Sequence, residues 1–77
     1  MVTVYTKDNC PNCKQTKRMF KFGKIDFKEV NVEKDEDAFN YVKYDLGLKS
    51  LPVIEVEGSE PFAYNREKVA EFVKNYK

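Results

Sequence analysis

The chain is predicted to fold as an α/β domain of order β-α-β-α-β-β-α, a four-stranded mixed sheet flanked by three helices, spanning residues 1–77. Three observations predict it. Apolar residues recur with a period that switches between two and about 3.6. A strand, a helix and a strand fit within the first 32 residues, the length of a parallel crossover unit. Two cysteines, Cys10 and Cys13, stand where the first strand gives way to the first helix.

Val2 to Thr6 is a β-branched and aromatic run that stops at Lys7-Asp8-Asn9, the pattern of a strand feeding a loop. From Pro11 to about Phe22 the period becomes helical, with Cys13, Thr16, Met19/Phe20 and Gly23 on one face. Gly23 reads as the stop. Phe27 to Val32 is a second strand, and the acidic run Glu33 to Asp37 favours a helix start, because carboxylates oppose the positive end of the helix dipole. Ala38, Tyr41/Val42 and Asp45/Leu46 carry that helix to Gly47. Pro52 to Val56 forms a third strand, Gly58-Ser59 a tight turn, and Pro61 to Tyr64 a short fourth strand whose proline suits an edge. Val69, Phe72, Val73 and Tyr76 then fall at i, i+3, i+4 and i+7, an amphipathic terminal helix for the sheet to cover.

Composition narrows the function. A length of 77 residues leaves room for one core and no second domain. With two cysteines and no histidine, the core must come from ordinary packing, to which five tyrosines and six phenylalanines contribute. Fourteen basic against thirteen acidic residues leave a net charge of +1, which gives no electrostatic case for nucleic acid. No apolar run approaches the roughly 20 residues of a membrane span. Met1 to Tyr5 lacks the charged and apolar regions of a signal peptide, so the reading is cytoplasmic. A close cysteine pair in a reducing compartment points to redox or metal chemistry.

The spacing Cys10-Pro11-Asn12-Cys13 has a chemical consequence. At a helix start, free backbone N–H groups and the helix dipole stabilise a thiolate at Cys10, which makes it the nucleophile. Cys13 lies one turn on, close enough to resolve a mixed disulfide. Pro11 fixes φ there without giving up a needed hydrogen bond. Lys7 and Lys14 flank the pair and support the thiolate, while Asp8 opposes it. Three other readings compete. A purely structural disulfide across so short a loop removes little entropy from the unfolded chain. A zinc site needs about four ligands, so metal or an iron-sulfur cluster held through Cys10 would require a second chain or carboxylates. Inert core cysteines fit poorly with the proline and the strand-to-helix position. A C-x-x-C beside a βαβ pattern reads as a redox motif.

These residues resemble a known group. Val4-Tyr5-Thr6-Lys7 before the cysteine pair, Lys14 to Phe20 after it, Val30-Asn31-Val32-Glu33-Lys34-Asp35, Tyr41-Val42-Lys43, Leu46-Gly47 and Leu51-Pro52-Val53 together look like glutaredoxins and NrdH-type redoxins of the thioredoxin-like superfamily. The resemblance implies a thioredoxin-like (glutaredoxin-type) fold, a dithiol-disulfide oxidoreductase activity and no cofactor. It implies that Pro52 is cis and lies against the disulfide, and that the backbone of Leu51 is free to pair with a substrate. Asn12 stands where glutathione-using members carry tyrosine, and Ala63-Tyr64 where they carry Gly-Gly. NrdH-type proteins usually show Trp-Ser-Gly-Phe-Arg-Pro where this chain has Pro61 to Arg66, which keeps only an aromatic. The middle of the chain favours the NrdH type, which implies thioredoxin reductase and ribonucleotide reductase as partners of a monomer; glutathione is the alternative reductant.

Beyond the cysteines, Lys14, Lys17, Arg18, Lys21 and Lys24 give the first helix a positive face, either a solvated surface or a steering field for an acidic partner. Phe62 and Tyr64 read either as hairpin packing or as the border of a docking groove, and Tyr64 is kept with Lys7, Pro11 and Asn12 as a partner-binding candidate.

Overall fold

Strand β1 (Val2–Thr6) alternates its side chains between two faces and is buried on both, as an inner strand covered on each side must be. The computed structural model, which describes residues 2–48 and 50–76, places it there. Met1, where the N-terminal reading begins, lies outside the described residues. The elements follow as α1 (Pro11–Phe22), β2 (Phe27–Asn31), α2 (Glu36–Asn40), a π-helical turn (Tyr41–Asp45), β3 (Val53–Val56), β4 (Phe62–Ala63) and α3 (Arg66–Asn75). The four-stranded sheet runs β2-β1-β3-β4, with β1 parallel to β2 and both β1–β3 and β3–β4 antiparallel. The fold is thioredoxin-like, with three helices on a mixed sheet.

The period-two alternation sorts the interior into two layers. Val2, Val4 and Ile54 face α1 and α3, where they pack with Phe20, Ile25 and Val69. Tyr5 and Val53 face the other way, onto Val32, Ala38 and Val42. Phe20 is fully buried, its ring 5.5 Å from Phe27 edge-on and 5.6 Å from Phe72. Phe62 and Tyr64 pack against this first layer, so both residues take part in hairpin packing.

Boundaries shift where tertiary contacts override local pattern. The second strand formally ends at Asn31, yet the Val32 N–H still donates to the Thr6 carbonyl at 2.8 Å. The acidic run supplies an N-cap: the Asp35 carboxylate accepts from the Ala38 N–H at 3.1 Å. The expected single second helix is instead a short α-helix continued by the π-helical turn, closed by a bond from the Leu46 N–H to the Tyr41 carbonyl. The wider turn leaves Asp45 exposed and sets Leu46 on the second layer. Gly47 ends the segment with φ 67°, a conformation that glycine adopts without penalty. Tyr76 falls beyond α3 with extended backbone, and its ring stacks 5.7 Å from Phe72 rather than extending the helical stripe.

Gly23 caps α1 as expected, but for a different reason. Its φ is −80°, and the left-handed residue is Lys24, at φ 58°. What requires glycine is proximity, since a Cβ here would sit 2.8 Å from Val73 Cγ1 on α3. Gly23→Ala is therefore expected to destabilise the chain by about 1–3 kcal/mol in urea unfolding, because overpacking outweighs the gain from a stiffer unfolded chain. Adding Val73→Ala should recover part of that loss, and equal stability of Gly23→Ala and wild type would remove the packing explanation.

Candidate active site

The loop 7–9 turns back at Asn9, whose φ of 56° lies in the left-handed region that asparagine tolerates better than most side chains. That turn delivers Cys10 as the N-cap of α1, with extended backbone, and Pro11 as the first helical residue. Cys10 and Cys13 are joined as a disulfide with their Cα atoms 5.2 Å apart. The Cys13 N–H points at Cys10 Sγ from 3.2 Å, and the Lys14 N–H donates to the Cys10 carbonyl at 3.1 Å. A thiolate formed at Cys10 thus meets a backbone donor already aimed at it, at the positive end of α1. Cys10 and Cys13 are both buried, 5% and 2% exposed as residues, with Cys10 the slightly more accessible of the two.

The other wall comes from the start of β3. The Leu51–Pro52 peptide is cis, Pro52 is buried, and the Leu51 carbonyl oxygen lies 4.0 Å from Cys10 Sγ. The structure therefore brings Cys10, Cys13, Leu51 and Pro52 together. Lys7, Pro11 and Asn12 lie exposed on the loop and first helical turn beside them. Tyr64 follows Ala63, which pairs with Val53, so it sits at the same end of the sheet, half-buried against the first layer.

Residues 2–60 match the family model described as Glutaredoxin. The chain belongs to the glutaredoxin family. Like its family, this glutaredoxin is a thiol-disulfide oxidoreductase, with the cysteine pair at disulfide distance. It is 32% identical over 74 residues to the glutaredoxin-like protein NrdH of Lactococcus lactis subsp. cremoris, covering 96% of this chain and 97% of that relative. Among solved structures, the thioredoxin-like protein BC3987 superposes with a TM-score of 0.82 at 29% identity, over 95% of this chain and 99% of that one. The glutaredoxin-like NrdH-redoxin from Escherichia coli shares the fold, with a TM-score of 0.80 at 24% identity over 91% of each chain.

Several features around the glutaredoxin site carry no local sequence signature. The Glu55 carboxylate accepts from two tyrosines, Tyr5 on β1 at 3.2 Å and Tyr41 in the π-helical turn, and so ties the second helical segment to the sheet. Burial, then the adjacent Glu55 charge, pushes Tyr5 up to about 12. On the far face, Glu29 accepts from Lys17 and from Thr6, each at 2.9 Å, and Lys17 holds its carboxyl below the ordinary value against the opposing effect of burial. Lys17 is thereby withdrawn from the positive face of α1, while Lys14, Arg18, Lys21 and Lys24 remain exposed. Beside Leu51 opens a cleft of about 500 Å³, walled by Val32, Val42, Leu48 and the exposed rings of Phe39 and Tyr44. Lys43 Nζ lies over both rings, at 5.5 and 5.4 Å. The Glu55 and Glu29 partners come from separate elements of the chain, whereas Lys43 reaches rings only one and four residues away.

The Tyr5 shift has a testable sign. A folded-state value raised from 10.0 to about 12 favours the protonated phenol, so its stabilisation is present below pH 10 and is lost as pH rises through 12. Unfolding followed between pH 9 and 12 is expected to show that loss in wild type and a smaller slope in Tyr5→Phe. Identical slopes would remove the assignment.

Proposed function

We propose that this glutaredoxin-family chain is an NrdH-type electron donor, reduced by thioredoxin reductase and passing electrons to a disulfide of ribonucleotide reductase as a cytoplasmic monomer. The observation that carries the chemistry is Cys10 Sγ at the start of α1, with a backbone donor aimed at it and the Leu51 carbonyl alongside. The near full-length likeness to an NrdH protein supports the choice of type. Asn12 and Ala63-Tyr64, in place of the tyrosine and Gly-Gly of glutathione-using members, support it further.

In the proposed cycle the Cys10 thiolate attacks one sulfur of the substrate disulfide. That bond breaks, Cys10 forms a mixed disulfide, and the departing substrate thiolate takes up a proton. Cys13 then loses its proton and attacks Cys10 Sγ, which releases the second substrate thiol and leaves the Cys10–Cys13 disulfide. Two electrons from the reductase reopen it. The Leu51 backbone pairs with the substrate chain and Pro52 backs the reacting sulfurs. Lys7, Pro11 and Asn12 form the surface that the partner meets, with Tyr64 at its rim.

One assay separates the electron sources. The oxidised protein is offered NADPH with thioredoxin reductase, and in parallel glutathione with its reductase. Rapid turnover in the first and slow turnover in the second is expected; the reverse pattern would replace this proposal with a glutathione-dependent activity.

A further inference from the structure

Thr16 lies on α1 one turn beyond Cys13, on the same buried face. It is fully buried, and its hydroxyl has no hydrogen-bond partner among the described residues. An unpaired buried hydroxyl costs about 1–3 kcal/mol of desolvation, and an orphan of this kind calls for a physical reason. A threonine inside a helix usually returns its hydroxyl to a carbonyl one turn back, which would silence it. Here it does not. Helical side chains lean toward the N-terminus, so the region that Thr16 covers is the turn holding Cys13.

Resting on the dithiol cycle above, we propose that Thr16 is a positioning residue for resolution, its hydroxyl donating a hydrogen bond to the Cys13 sulfur once the disulfide is open. In the oxidised state Cys13 Sγ is bonded to Cys10 and carries no charge, so it is a poor acceptor and the hydroxyl stays unpaired. In the mixed disulfide, Cys13 must give up its proton before it attacks. It does so in a site where Cys13 as a residue is 2% exposed, so water can solvate the anion only poorly. The backbone donor at the helix start is aimed at Cys10 and not at Cys13. The Thr16 hydroxyl supplies the missing donor. It steadies the anion that attacks Cys10 Sγ, and the proton Cys13 gave up to solvent is available to the departing thiolate, so atoms and charge balance. The fold thus assigns one donor to each sulfur, a backbone N–H for capture and a side-chain hydroxyl for resolution.

The test needs no natural partner. The reduced protein is mixed with 5,5′-dithiobis(2-nitrobenzoate), and coloured thiol is released twice, first when Cys10 is captured and again when Cys13 resolves the adduct. Thr16→Val, equal in shape, is expected to leave the first release unchanged and slow the second about tenfold, the scale of one hydrogen bond to a charged group. The pH profile of the second release should move to higher pH in this variant. Thr16→Ser should restore both rate and profile. Thermal unfolding of Thr16→Val is expected to match or exceed wild type, since an unpaired hydroxyl has been removed. Wild-type rates in Thr16→Val would overturn the proposal, as would equal slowing in Thr16→Ser, which would trace the effect to packing. A wild-type protein that shows the first release and never the second would overturn the dithiol cycle itself, and this proposal with it.

Discussion

Replacing Cys10 with serine is expected to lower disulfide reduction by about a thousandfold or more, the scale seen when a nucleophile is removed from a site that otherwise stays intact. The fold should persist, because serine is a good N-cap and the small side chain sits at the edge of the interior rather than within either layer. Cys13→Ser should behave differently. Capture by Cys10 continues, resolution stops, and mass spectrometry of the quenched reaction should find the substrate attached through Cys10. The contrast rests on geometry, since the backbone donor 3.2 Å from Cys10 Sγ favours that sulfur as the attacking one. Insulin turbidity and mass spectrometry together decide it: full turnover in Cys10→Ser, or no adduct on Cys10 in Cys13→Ser, would end the assignment of roles.

The second large effect concerns stability. Phe20 is fully buried in the first layer, its ring against those of Phe27 and Phe72. Phe20→Ala is expected to cost about 3–5 kcal/mol through lost burial and the cavity left behind. A chain of this length has a total of roughly 4–12 kcal/mol to lose, so that one change removes between a quarter and all of it. Phe20→Leu, which keeps most of the volume, should fold and lose far less. Chemical denaturation followed by far-UV circular dichroism measures both, and a Phe20→Ala stability within about 0.5 kcal/mol of wild type, the scatter of a surface substitution, would contradict the two-layer account of the core.

Much of this was legible in the sequence because it depends on local period and local chemistry. The β-branched and aromatic run Val2 to Thr6 marks a strand, and the helical spacing of Cys13, Thr16 and Phe20 marks one face of α1, which is its buried one. The cysteine pair announces itself, since C-x-x-C at a strand-to-helix junction has few other uses. The cis Leu51–Pro52 peptide follows only from the family resemblance, because nothing in Leu51-Pro52 itself distinguishes it from an ordinary strand-opening proline. Less legible were features set by distant partners. Whether a helix keeps its α-helical pitch through Tyr41–Asp45 depends on where Glu55 and the sheet lie, and the need for glycine at position 23 depends on Val73, fifty residues away by sequence. The pairing of Lys17 with Glu29 and the unpaired state of Thr16 likewise come from packing, not pattern.

The innermost strand divides the two apolar layers and also runs straight into the loop that carries the reactive sulfur. Damage to either layer is thereby transmitted to the place where chemistry happens. Variants selected only for catalysis would be screened for folding at no additional effort, and tolerated change should collect on the outward faces of the helices, away from that shared spine.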